Sequence, residues 1–178
     1  MLSRRSHLWL AASAVLAGAG AIALSRRKPA APLRTVTHVD LDRYLGRWYE
    51  IARLPTRFEA GLTHVTADYR RNPDGSVQVI NRGRRHGTLK TATGRATVTD
   101  PATNAQLEVS FFWPIKGDYW ILELDPDYQW ALIGVPTRDY LWVLSRQPRL
   151  NPEVIRNLMA RARLDGFAVE KLIFTRQD

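Results

Sequence analysis

Beyond residue 40, apolar and polar residues alternate with a period close to two, broken at regular intervals by clusters of turn-forming residues. The pattern predicts strands at Trp48–Leu54 and His64–Arg71, after which Asn72-Pro73-Asp74-Gly75 turns the chain into Ser76–Arg82. Further strands are expected at Thr93–Asp100, Gln106–Trp113, Tyr119–Leu124, Gln129–Val135 and Tyr140–Arg146, with Pro- and Gly-containing turns between them. The longest connections fall at Pro55–Thr63 and Gly83–Ala92. A helix follows: Asn151 caps it, Pro152 suits its first position, Glu153 faces the positive dipole end, and Gly166 stops it. Val154, Leu158 and Ala162 form its apolar stripe, and Ala168–Phe174 returns as a ninth strand. Strands joined by sequential hairpins imply an all-β fold: an eight-stranded up-and-down antiparallel β-barrel. The C-terminal α-helix is expected on its outside, followed by the short final strand.

A barrel of eight strands either fills its interior or holds one small ligand. In Gln106–Trp113, Leu107, Val109, Phe111 and Trp113 share one face, and Glu108 and Ser110 share the other. Tyr140, Trp142, Leu144 and Arg146 lie together on the eighth strand. On the third, Val77, Val79 and Asn81 share a face, which puts an amide on an apolar wall. A buried amide without a partner costs roughly 1–3 kcal/mol, so Asn81 needs a neighbour, a water or a ligand.

Composition changes the picture at the N-terminus. The net charge is +9, but residues 1–34 hold six bases and no acid, which leaves +3 for the rest. A nucleic-acid partner therefore loses its electrostatic support. Leu8–Leu24 is uncharged and lies between Arg4-Arg5 and Arg26-Arg27-Lys28, the layout of a bacterial export signal or a short membrane anchor. Ser3-Arg4-Arg5 also resembles a twin-arginine signal. Cleavage and retention both fit, with Pro29–Pro32 as a linker. Residues 1–34 are thus read as signal or anchor plus linker, and residues 35–178 as the barrel domain. The sequence has no cysteine, which excludes disulfides, a thiolate nucleophile and a thioether lipid.

Gly46-Arg47-Trp48-Tyr49-Glu50-Ile51-Ala52-Arg53 resembles the lipocalin signature, and Pro55–Gly61 resembles the loop that follows it in the bacterial lipocalin and apolipoprotein D group. Leu141–Arg146 is similar to the family's last barrel strand with its terminal Arg. The likeness spans about residues 38–176. It implies that Gly46, Trp48 and Arg146 build the barrel floor. It also implies inward-facing pocket residues at Tyr69, Asn81 and Trp142, joined on the apolar wall by Val79, Leu107, Val109, Phe111 and Leu144. Phe58 and Leu62 are candidates for a lid or rim.

The function so implied is binding, storage or transport of a fatty acid, lysophospholipid or similar amphiphile in the bacterial cell envelope. Periplasmic exposure is expected, with the membrane contacted through the N-terminal segment. No catalytic residue, metal or cofactor is expected, and homodimerisation stays open. The alternatives on the same barrel are a lipid-modifying enzyme and a pigment or tetrapyrrole carrier. His64 or His86 would be the haem ligand of such a carrier, without a supporting motif.

Overall fold

Period-two alternation produces one continuous antiparallel meander. A computed structural model describes residues 31–178, so the readings made for Leu8–Leu24 and the basic pairs around it lie outside the described residues. The strands are β1 (Gly46–Arg53), β2 (Thr63–Arg71), β3 (Val77–Arg85), β4 (Thr88–Val98), β5 (Gln106–Phe112), β6 (Ile115–Leu124), β7 (Trp130–Gly134), β8 (Leu141–Ser145) and β9 (Ile173–Phe174). Neighbours in sequence pair with each other, and β1 pairs with both β2 and β8, which closes an eight-stranded barrel. A four-residue helix, α1 (Leu41–Tyr44), precedes β1, and α2 (Pro152–Leu164) follows β8.

Two apolar clusters divide along the alternation. The inner one holds Trp48, Tyr69, Val79, Leu107, Ile133 and Leu144. The outer one holds Ile51, Leu122, Leu132 and Val143, covered by Leu158 and Ala162 of α2 and by Phe167. The side chain of Asn151 caps α2 by accepting from the Glu153 amide at 2.8 Å. A Cβ added at Gly134 would stand 2.6 Å from the Phe167 ring, so only glycine lets the chain after α2 lie this close to β7.

The connections Pro55–Leu62, His86–Gly87, Trp113–Pro114 and Val135–Tyr140 gather at one end, the mouth. The other end, the floor, carries the remaining turns and α1. The described chain starts at the mouth: Arg138 Nη2 donates to the carbonyl of Ala31. It then runs to the floor, where the Val39 amide donates to the Thr103 carbonyl at 2.8 Å. Leu33 is buried in the outer cluster, so packing begins ahead of the boundary drawn at residue 35.

Four local readings need correction. Gly83–Ala92 is not a long connection. β3 and β4 stay paired out to Arg85–Thr88, and His86-Gly87 turns with φ of 50° and 78°. Positive φ at both central residues is what a tight hairpin requires. The tip stands beyond the core, so both faces are wet and no alternation marks it. Second, Trp113 does not share the face of Leu107. A register shift between Val109 and Phe112 ends β5, and Trp113 borders an outer groove with Glu108, Ser110 and Lys116. Third, Ala168–Phe174 is not one strand: Val169–Lys171 forms a 3-10 turn, and only Ile173–Phe174 is in strand. Fourth, α1 was not anticipated, because four residues carry no helical period.

Candidate functional site

The floor is built around one guanidinium. Arg146, just past β8, places its guanidinium carbon 3.9 Å from the centre of the Trp48 ring. It donates to the carbonyls of Tyr128 (3.2 Å), Arg47 (2.9 Å), Arg43 (2.7 Å) and Tyr44 (3.3 Å). Trp48 Nε1 donates to the Tyr44 carbonyl at 2.8 Å. Gly46 has φ +91°, and a Cβ there would lie 3.4 Å from Arg146 Nη1, so the residue suits glycine both in conformation and in space. The structure thus brings Gly46, Trp48 and Arg146 together at the closed end.

Above the floor, Tyr119 Oη bridges the hydroxyls of Tyr44 at 2.7 Å and Tyr69 at 2.9 Å. Burial pushes all three phenols up, Tyr69 to about 12. They are neutral at physiological pH, as hydrogen-bonded hydroxyls in an apolar layer must be. The cavity beside them is about 10 Å³, room for about one water. Val79, Leu107 and Leu144 are buried in this filled lower half.

Toward the mouth the inner face is less covered. Val109, Phe111, Asn81 and Trp142 are half-buried, and Ala92, paired with Asn81 on the same inner face, is exposed. A Cβ at Gly117, opposite Val109, would meet nothing within 4 Å. The Phe111 ring lies over Gly94, where a Cβ would stand 2.7 Å from it. Asn81 Oδ1 is buried and has no hydrogen-bond partner.

A buried ionic cluster sits on the same wall at the mouth. β1 slips register between Glu50 and Ala52, so Glu50 pairs with Leu144 and Arg53 with Trp142, all on the inner face. Arg53 is 2% exposed. Its Nη1 donates to Glu50 Oε1 at 2.5 Å, and its Nη2 donates to the Glu59 carbonyl at 2.8 Å. Glu59 Oε2 accepts from Thr56 Oγ1 at 2.9 Å and from Trp142 Nε1 at 3.2 Å. The loop after β1 is therefore pinned by charge. On it, Phe58 is exposed and its ring centre lies 6.0 Å from that of Tyr140, while Leu62 tucks against Gly83. Strict alternation puts Glu50 and Arg53 on opposite faces, so sequence reasoning missed this cluster. The remaining candidates are dispersed: His64 bonds Thr63, and His86 is exposed in a hairpin turn.

Desolvation, then the nearby Glu59, pushes Glu50 from its ordinary 4.5 up to about 7, against the opposing pull of Arg53. Between those values the folded chain holds a proton that the unfolded chain releases, so stability falls as pH rises through the window. The expected loss from pH 4.5 to 7 is on the order of 3 kcal/mol, readable as a falling denaturation midpoint. Glu50→Gln should flatten that slope. An equally steep slope in the variant would show that another group carries it.

The lipocalin-like domain model matches residues 39–177. Outer membrane lipoprotein Blc of Escherichia coli (strain K12) is 44% identical over 158 residues, 88% of this chain and 89% of that one. Apolipoprotein D of Bos taurus is 35% identical over 147 residues, 78% and 77% of the two chains. In fold, the structure of insecticyanin from the tobacco hornworm Manduca sexta superposes with a TM-score of 0.67 at 21% identity, covering 82% of this chain and 84% of that one. The chain belongs to the lipocalin family, in the group that contains bacterial Blc and apolipoprotein D.

Proposed function

We propose that this barrel binds and carries a small amphiphile, a fatty acid or lysophospholipid, in its upper lumen within the bacterial cell envelope, and performs no reaction on it. Lipocalins are generally binding and transport proteins. The relatives named Blc are outer membrane lipoproteins, which supports an envelope setting.

The observation that carries the reading is the orphaned Asn81 Oδ1 on a half-buried wall of Val109, Phe111 and Trp142. An amphiphile answers both features. Its tail covers the apolar wall at about 0.8 kcal/mol per buried CH₂, and a head-group O–H, from the glycerol of a lysophospholipid or from a fatty-acid carboxyl kept neutral by burial, donates to the Asn81 oxygen. The tyrosine layer sets the depth, since the space beside it does not admit a tail. Tyr69, Val79, Leu107 and Leu144 then support the pocket from below, and Val109, Phe111, Asn81 and Trp142 touch the ligand.

Titration with a fluorescent fatty acid tests the assignment. Trp142→Ala and Asn81→Leu are each expected to weaken binding at least about fivefold, since each removes on the order of 1–3 kcal/mol of contact. The melting transition should stay cooperative. Unchanged affinity in both variants would overturn the pocket.

A further inference from the structure

The nine exposed large apolar side chains among the described residues share one end of the molecule. Phe112, Trp113 and Ile115, at the β5–β6 hairpin tip, are 76%, 82% and 73% exposed. Leu89 stands at the β3–β4 tip, Phe58 on the loop after β1, and Tyr140 just before β8. Leu164 ends α2 beside Arg138, which donates to the neighbouring Asp165 carbonyl. Ile173 and Phe174 pair with the last residues of β1. Scattered exposed apolar residues are ordinary, but a full set at one end marks an interaction surface.

Charge identifies what that surface meets. Arg57, Arg84 and Lys90 are exposed among these apolar tips, and Lys116 is exposed but paired with Glu108 at 2.7 Å. The acids on the mouth connections are Asp139 and the buried Glu59, and Glu108 and Asp118 stand on the strands of the β5–β6 hairpin, so the excess of base lies with Arg57, Arg84 and Lys90. Basic side chains around protruding Trp, Phe and Ile residues fit a lipid surface with anionic headgroups, where Trp settles at the headgroup level.

The start of the described chain points the same way. Ala31 is held at the mouth by Arg138. The uncharged run Leu8–Leu24 ends seven residues earlier in the sequence. Seven residues reach at most about 25 Å. A bilayer holding that run therefore lies nearer to the mouth than to the floor.

We propose that the barrel docks mouth-first on a phospholipid bilayer bearing anionic headgroups, with Trp113, Ile115 and Leu89 entering the interface. This deepens the carrier reading and rests on it for its purpose. A lumen that opens onto the bilayer lets an acyl chain pass between membrane and barrel without crossing water.

The absence of native cysteine allows a clean test. Ile115→Cys and Leu89→Cys at the mouth, and Asp127→Cys at the floor, are labelled with an environment-sensitive fluorophore. Each full-length variant is placed in nanodiscs at one copy per disc, with quencher-bearing lipid. With phosphatidylglycerol present, the labels at 115 and 89 should be quenched at least twofold more than the label at 127. Arg84→Glu combined with Lys90→Glu, or discs of phosphatidylcholine alone, should reduce that difference. Equal quenching at all three positions, or stronger quenching at 127, would overturn the proposal. So would shielding at 115 that needs two copies per disc, since the face would then belong to a second copy. Fatty-acid titration of the same variants separates the two readings. Binding without mouth quenching removes the docking alone, and mouth quenching without binding removes the carrier reading alone.

Discussion

Replacing Arg146 by Ala is expected to lower the unfolding free energy by about 3–4 kcal/mol, combining a lost cation–π contact with several lost charge-assisted hydrogen bonds. The guanidinium stacks on Trp48 and ties together carbonyls from α1, β1 and the β6–β7 turn. Arg146 lies 99 and 103 positions from Arg47 and Arg43, so nothing local replaces the tie. For a chain of this size, the melting temperature should drop by roughly 10 °C. Arg146→Lys should recover little of it, because an ammonium presents no planar fork to several carbonyls. Fatty-acid affinity of the folded fraction should hold, since the floor is separated from the upper lumen by the tyrosine layer. A variant that keeps its melting temperature and loses ligand would place Arg146 in the pocket instead.

Arg53→Met is expected to cost about 3–5 kcal/mol at pH 8, the usual price of stranding a buried partner of an ion pair. Here two carboxylates are stranded. Glu50 loses its 2.5 Å bond, and Glu59 loses the cation 3.9 Å away. The deficit should shrink toward pH 5, where protonation removes the charge left on Glu50. Adding Glu50→Gln should recover part of the stability at pH 8. The loop should loosen with the loss of the donation from Arg53 to the Glu59 carbonyl, which makes the chain at the already exposed Arg57 easier for trypsin to cleave. Urea midpoints across pH and a timed digest measure both effects. A pH-independent deficit would show that lost packing, not charge, dominates.

What the sequence could and could not reveal follows from these two sites. Period two identifies strands wherever one face is buried, so β1 to β8 and the inward placement of Trp142 and Leu144 were legible. The capped helix was legible because its signals are local. The β3–β4 tip was not, because with both faces in water its residues show no alternation. The register slip at Ile51 also hid the Glu50–Arg53 pair, since one extra residue reverses the faces that follow it. Tyr44 and Tyr119 escaped for a different reason. Their pairing through hydroxyls joins α1 to β6 across 75 positions, and no local pattern encodes such a contact.

Native mass spectrometry of the protein after incubation with a lipid panel tests the central claim most directly. The account predicts a one-to-one complex with a fatty acid or lysophospholipid, diminished in Trp142→Ala and retained in the folded fraction of Arg146→Ala. An apo mass across the whole panel, from a protein that is folded and monodisperse, would contradict it.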